Sequence, residues 1–194
     1  MTLPFNPFYF IRHGQTDWNH EHRLQGQTDI QLNRFGISQA YEAAAVLYEA
    51  PFVSIAASPL SRAVKTAEII AQERNVSLHL IKELKECSLG VKEGQLRSDK
   101  QWYENWLQGE QIESAESFSA FTARVMQGLT IALELPGPVL VVAHSFVYHV
   151  IQKELGLPLM ELSHCQPVYH QPPEHLTHPW QRYSLKPQDD DDYI

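Results

Sequence analysis

The chain has 194 residues, 43% of them hydrophobic, and its 23 acidic against 15 basic side chains give a formal net charge of -8. That length buries one substantial core, and the acidic balance argues against a nucleic-acid partner, because binding a phosphate backbone requires a basic excess. No apolar run approaches a membrane span and no basic stretch precedes the apolar residues of "MTLPFNPFYF", so no membrane partner and a cytoplasmic location are expected.

"FYFIR", residues 8–12, is apolar on nearly every position and reads as a strand buried on both faces. A polar loop runs to about Leu32, and helical spacing of Ile37, Ala40, Ala44 and Leu47 predicts a helix within 33–50 that stops before Pro51. A short apolar strand follows over 52–58, then a helix over 59–75 with Ser58-Pro59 at its entrance and Asn75 at its exit. Residues 76–82 alternate as a strand, and a loop carries Gly90 and Gly94. A Trp-rich helix near 98–107 and a longer one near 116–134 lead to "VLVVAH", a buried strand that feeds a helix near 146–155. Beyond Leu162 the sequence turns Pro- and His-rich, with strands possible at 165–170 and 180–185. It ends in the acidic stretch 189–194, expected to be disordered. Strands alternating with helices predict one α/β unit over 1–188, with 162–188 as its variable end: a three-layer sandwich with a mostly parallel central sheet flanked by helices. The two cysteines, Cys87 and Cys165, are too few for a disulfide framework.

Ligands gather outside the carboxyl ends of strands in open α/β sheets. Two of the predicted strands end there in histidine, His13 after Arg12 and His144 after "VLVVA", and Arg62 lies just beyond a third strand. Two guanidiniums, two imidazoles and nearby backbone amides suit a phosphoryl group with charge on three oxygens. The sequence offers no other phosphate chemistry: it has no G-x-x-x-x-G-K-[ST] loop. The position six residues after each cysteine is Glu93 or Gln171 rather than the arginine a cysteine phosphatase needs.

"RHGQTDWN" resembles the RHG-x-T-x-W-N signature of the histidine phosphatase superfamily, the phosphoglycerate mutase-like family. The likeness continues through "RLQGQTDIQLNRFGISQA", "SPLSRAVKTAEII", "LKECSLGVKEG", "AESFSAFTARV" and "VLVVAHS", covering most of the chain to about residue 155. The resemblance implies that His13 is a nucleophile that becomes phosphohistidine, that Arg12, Arg62 and His144 grip the phosphoryl oxygens, and that Glu86 is the proton donor. Glu93 is the rival carboxylate. Thr16, Asn19, Gln25 and Gly26 match positions on the substrate side, and Arg97 falls near a mutase lysine.

The chain departs from the family at three places. Ser145-Phe146 stands where two glycines usually follow the second histidine, which puts a ring near the pocket mouth. Cys87 follows Glu86 where mutases have an arginine, and the paired arginines downstream are missing, Arg124 being the only basic residue between Lys100 and Lys153. A phosphatase therefore ranks above a mutase. The expected function is hydrolysis of a small phosphorylated metabolite without metal or cofactor. The alternatives are a phosphoglycerate mutase-type phosphotransferase and a phospholigand- or protein-binding module that has lost turnover. Trp102, Tyr103 and Trp106 share a helical face and read as core bordering the pocket. His164, His170, His175 and His178, with Cys165, fit no zinc-ligand spacing, and no metal is expected there. The oligomeric state is left open by the sequence.

Overall fold

The computed structural model describes residues 3–72, 74–97, 101–175 and 178–185. The acidic end at 189–194 and the expected helix start at 98–100 lie outside them.

Among the described residues six strands form one sheet: β1 (Phe8–Arg12), β2 (Ser54–Ala57), β3 (Ser77–Leu80), β4 (Val139–Ala143), β5 (Pro167–Gln171) and β6 (Gln181–Ser184), in the order β3-β2-β4-β1-β5-β6. The first four are parallel neighbours, whereas β5 and β6 add an antiparallel hairpin beside β1. The central strands β1, β2 and β4 are buried almost throughout, as near-continuous apolar runs should be in a sheet covered on both faces. The described residues also form six α-helices: α1 (Asp17–His20), α2 (Arg34–Val46), α3 (Ser61–Ala71), α4 (Gln101–Leu107), α5 (Phe118–Leu133) and α6 (Ser145–Glu154).

Alternation along each strand divides the core in two. Tyr9, Ile11, Ile55, Ala57, Leu140 and Val142 pack with the apolar faces of α2 and α3. Phe8, Phe10, Ala56, Val139, Val141 and Ala143 pack with α5, α6 and Trp106 of α4. This is the expected three-layer α/β architecture. Cys87 belongs to one layer and Cys165 to the other, and the two are not joined by a disulfide.

The differences from the expected elements are local. Asn33 caps α2 by accepting from the Gly36 amide at 2.8 Å, and the helix closes at Val46, shorter than its apolar spacing suggested. Helix α1 falls within the stretch expected to be loop. Its signal is the capping box in which Thr16 and Asn19 each bond the other's backbone amide.

Candidate active site

Parallel strands bring their carboxyl ends to one edge, and the site is assembled there. The His13 amide extends the β1–β4 ladder by donating to the Ala143 carbonyl at 3.0 Å, and the Ser58 amide does the same from the end of β2 to Val142. His13, His144 and Ser58 therefore leave adjacent strands side by side, with the His13 and His144 ring centroids 5.2 Å apart. The chain can turn away from His13 because Gly14 has no side chain. A Cβ there would strike the backbone of Gly36, which approaches from the start of α2.

The His13 Nδ1 lies 2.7 Å from the Gly14 carbonyl oxygen. A carbonyl only accepts, so Nδ1 carries the hydrogen and Nε2 keeps its lone pair in the neutral ring. Burial, followed by the nearby Arg62, His144, Arg12 and His164, pushes the His13 pKa well below its ordinary value. The imidazole is thus held neutral. His144 is fully buried, bonds Ser58 Oγ through Nε2 at 2.7 Å, leaves Nδ1 without a partner among the described residues, and is likewise pushed well below its ordinary pKa by burial.

Arg62 enters from the first turn of α3 and is almost wholly buried. Its two terminal nitrogens donate to the Gly26 carbonyl at 2.8 Å and the Thr28 carbonyl at 3.0 Å. Gly26 presents that carbonyl from a left-handed backbone, φ +52°, which a side chain would strain. Arg12 at the end of β1 donates to the Leu162 carbonyl at 3.1 Å.

Two carboxylates close to each other in sequence do different things. Glu86 lines a cavity of about 40 Å³ with Arg12, His13 and Arg62. Its Oε1 accepts from the Cys87 amide at 3.0 Å and its Oε2 from the Phe146 amide at 3.2 Å, in the first turn of α6. Burial raises its pKa above the ordinary glutamate value against the opposing pull of those two amides and the arginines. Glu93 instead accepts from the backbone amides of Gln27, Thr28 and Leu89, each at 3.0 Å, and from the Thr28 hydroxyl, so it latches the loop that carries Gly26.

Asn19, Gln25, Gly26, Arg97, Ser145 and Phe146 also line the small cavity. Thr16 is the exception. It is fully buried, and its hydroxyl is spent on capping α1 and bonding Asn19, so it positions the neighbour that faces the cavity. Trp102 and Tyr103 border an adjoining cavity while Trp106 belongs to the core.

The four late histidines part company. His170 is buried in the core, stacked on Phe8 and bonded to the Tyr148 hydroxyl, and His175 and His178 pair with each other on the Pro-rich end. His164 stands beside the site, its ring 5.8 Å from that of His13. Sequence reasoning missed His164 and the second-layer role of Arg124. That guanidinium pairs with Glu116 at 2.7 Å and donates to the carbonyls of Glu83, Lys85 and Glu86 behind the Glu86 loop. It missed Arg23 and Leu89 at the cavity as well. Arg23 was in reach, because it begins the "RLQGQ" block that carried the resemblance.

A buried imidazole at a strand end, two arginines and a buried carboxyl around one small cavity accord with the sequence comparisons. The profile of the histidine phosphatase superfamily (branch 1) matches residues 8–171, and the chain belongs to that family. It is 34% identical over 161 residues to the Erwinia tasmaniensis protein described as "Probable phosphoglycerate mutase GpmB", covering 77% of this chain and 75% of that one. Among solved structures it resembles a "putative alpha-ribazole-5'-P phosphatase" from Escherichia coli, with a TM-score of 0.75, 25% identity, and 87% and 92% of the two chains covered. It also resembles phosphoglycerate mutase from Thermus thermophilus, with a TM-score of 0.73, 27% identity, and 93% and 98% covered.

Proposed function

We propose that this protein is a phosphomonoesterase that hydrolyses a small phosphorylated metabolite through a phosphohistidine on His13, without a metal ion. The observation that carries this reading is the fixed His13 tautomer, Nδ1–H on the Gly14 carbonyl, which leaves a neutral Nε2 among buried cations. Arg12 and Arg62 supply the positive field that phosphoryl transfer needs in its transition state, and the neutral His144 ring stands beside them.

In the first step the Nε2 lone pair forms the N–P bond as the P–O ester bond breaks. Protonated Glu86 gives its proton to the departing oxygen. In the second, water attacks phosphorus and Glu86 takes its proton. The N–P electron pair then returns to His13 and inorganic phosphate leaves.

Hydrolysis ranks above mutase-type transfer because the chain's own residues leave little to grip a second acidic substrate. Cys87 points into the core, and Arg124 is committed to Glu116 and three carbonyls. Arg23 and Arg97 at the cavity favour transfer as the second reading.

The test is to turn over a ³²P-labelled phosphomonoester in EDTA, quench in alkali and map the label. Acid-labile, base-stable phosphate on His13, with release of inorganic phosphate, is expected, and the His13→Ala variant should carry none. Label on Ser, Thr, Asp or Cys, or activity that needs Zn²⁺ or Mg²⁺, overturns the reading. Phosphate passed to a second substrate hydroxyl in preference to water makes the protein a mutase.

A further inference from the structure

The small cavity at His13 does not end the site. Arg12, Leu24, Arg97, Ser145 and Phe146 line it and also line a second cavity of about 290 Å³ that continues outward from it. The remaining wall of this outer cavity is built from Trp102, Tyr103, His149, Leu159 and Met160, with Glu161. Tyr103 lies flat on Phe146, centroids 4.8 Å apart and planes 11° from parallel, and Trp102 and His149 meet Tyr103 edge-on. The ring that stands in place of the family's usual glycine is therefore a wall of the outer cavity rather than a plug in the inner one.

The inner cavity, at about 40 Å³, has room for little beyond the phosphoryl group, so the alcohol part of a phosphomonoester held at His13 must extend into this aromatic annex. Flat π-faces backed by Leu159 and Met160 match a planar apolar group, which buries its faces against rings at offset or edge-on geometry.

We propose that the physiological ligand is a phosphomonoester whose alcohol part carries a planar aromatic or heteroaromatic group, seated against Phe146, Tyr103 and Trp102 while its phosphate lies at His13. The inference rests on the phosphoryl assignment of the preceding section and adds to it the class of substrate. The annex selects the alcohol part and leaves the phosphoryl step to the strand ends, so the preference falls mainly on KM.

Two measurements test it, the first of them independent of turnover. The first is calorimetric binding of non-hydrolysable phosphonates, 3-(2-naphthyl)propylphosphonate against methylphosphonate. The second is kcat/KM for the naphthylpropyl phosphate ester against glycerol 1-phosphate, both esters of primary alcohols, so that leaving-group chemistry does not decide the outcome. The aromatic member should be preferred about 10²-fold in both comparisons, the discrimination expected from filling an apolar pocket. Leu159, at 58% exposure, can be changed without disturbing the core. Leu159→Asp should lower naphthylpropylphosphonate affinity about tenfold relative to methylphosphonate, and Trp102→Ala should do the same. Equal affinity for the two phosphonates, or an aromatic preference untouched by both variants, overturns the proposal. If the aromatic phosphonate binds tightly and neither ester is hydrolysed, the annex stands as a ligand site and the phosphatase reading fails instead.

Discussion

The two ends of this site are built by different means. At the inner end nearly every functional group is fixed by main chain: His13 by the Gly14 carbonyl, Arg62 by those of Gly26 and Thr28, and Glu86 by the amides of Cys87 and Phe146. At the outer end the wall is made largely of side chains packed on one another, from α4, the first turns of α6 and the segment around Leu159. Backbone geometry repeats from sheet to sheet, whereas a wall of rings changes with each substitution. A chain can therefore keep its phosphoryl chemistry while its choice of alcohol drifts.

The sharpest break between the two ends is expected at Glu86. Glu86→Gln removes the proposed proton donor and should slow hydrolysis of alkyl phosphates about 10²-fold, with a smaller loss on aryl phosphates whose leaving groups need no proton. Because the Glu86 pKa is raised, the protonated donor persists above the ordinary glutamate range and is lost as pH rises through the raised value. In wild type kcat should fall on that alkaline side, and in Glu86→Gln that limb should vanish. A steady-state pH profile on both proteins reads this directly.

Glu93 marks the same boundary from the structural side. Glu93→Gln puts an NH₂ group against amide donors and should cost about 2 kcal/mol in urea unfolding, the scale of a hydrogen bond to a charged group. The folded variant should show no change in leaving-group dependence. If that dependence appears here and is missing in Glu86→Gln, the two carboxylates exchange roles.

At the outer end the effect is smaller. Phe146→Ala keeps the amide that Glu86 accepts and removes only the ring stacked on Tyr103. It should raise KM for a naphthylpropyl ester about tenfold and leave kcat within a few-fold, the pattern of lost uniform binding. An equal fall in kcat on every ester would tie the ring to the chemistry and erase the division between the two ends.

The mildest test uses stability. The unfolded chain protonates His13 at its ordinary 6.5, while the buried ring resists, so this contribution to stability is full above that value and is lost as pH falls below it toward the depressed native pKa. His13→Gln removes one such proton. It should flatten the dependence of unfolding free energy on pH below 6 by up to about 1.4 kcal/mol per pH unit, read from urea midpoints.

The inner end was largely legible in the sequence because its signals are local. An apolar run that ends in Arg12-His13-Gly14 or in His144 announces a buried strand and what stands at its edge. Thr16 misleads because being next to the site in sequence says nothing about which way a side chain turns, and its hydroxyl turns into the capping box. The outer end was legible only in pieces: Phe146 and Arg97 were expected near the pocket and Trp102 and Tyr103 at its border, but the wall they make with Leu159 and Met160 was not. Arg97, Tyr103, Phe146 and Leu159 come from four separate stretches, and only the folded chain puts a face on one beside a face on another. His164 and Arg124 escaped for the same reason, since each acts through carbonyls or rings distant along the chain.

Arg124 has a consequence for how the protein fails on heating. From α5 it holds the carbonyls of Glu83, Lys85 and Glu86, so the placement of Glu86 depends on a helix in an outer layer, whereas His13 depends on the central sheet. The proposed nucleophile and proton donor thus rest on parts of the molecule that need not loosen together. Loosening α5 would displace Glu86 while leaving His13 and the arginines around it intact. Warmed protein should then pass through a state that still takes phosphate onto His13 from an activated ester yet no longer turns over an alkyl one, so its useful lifetime would be shorter than that of its fold.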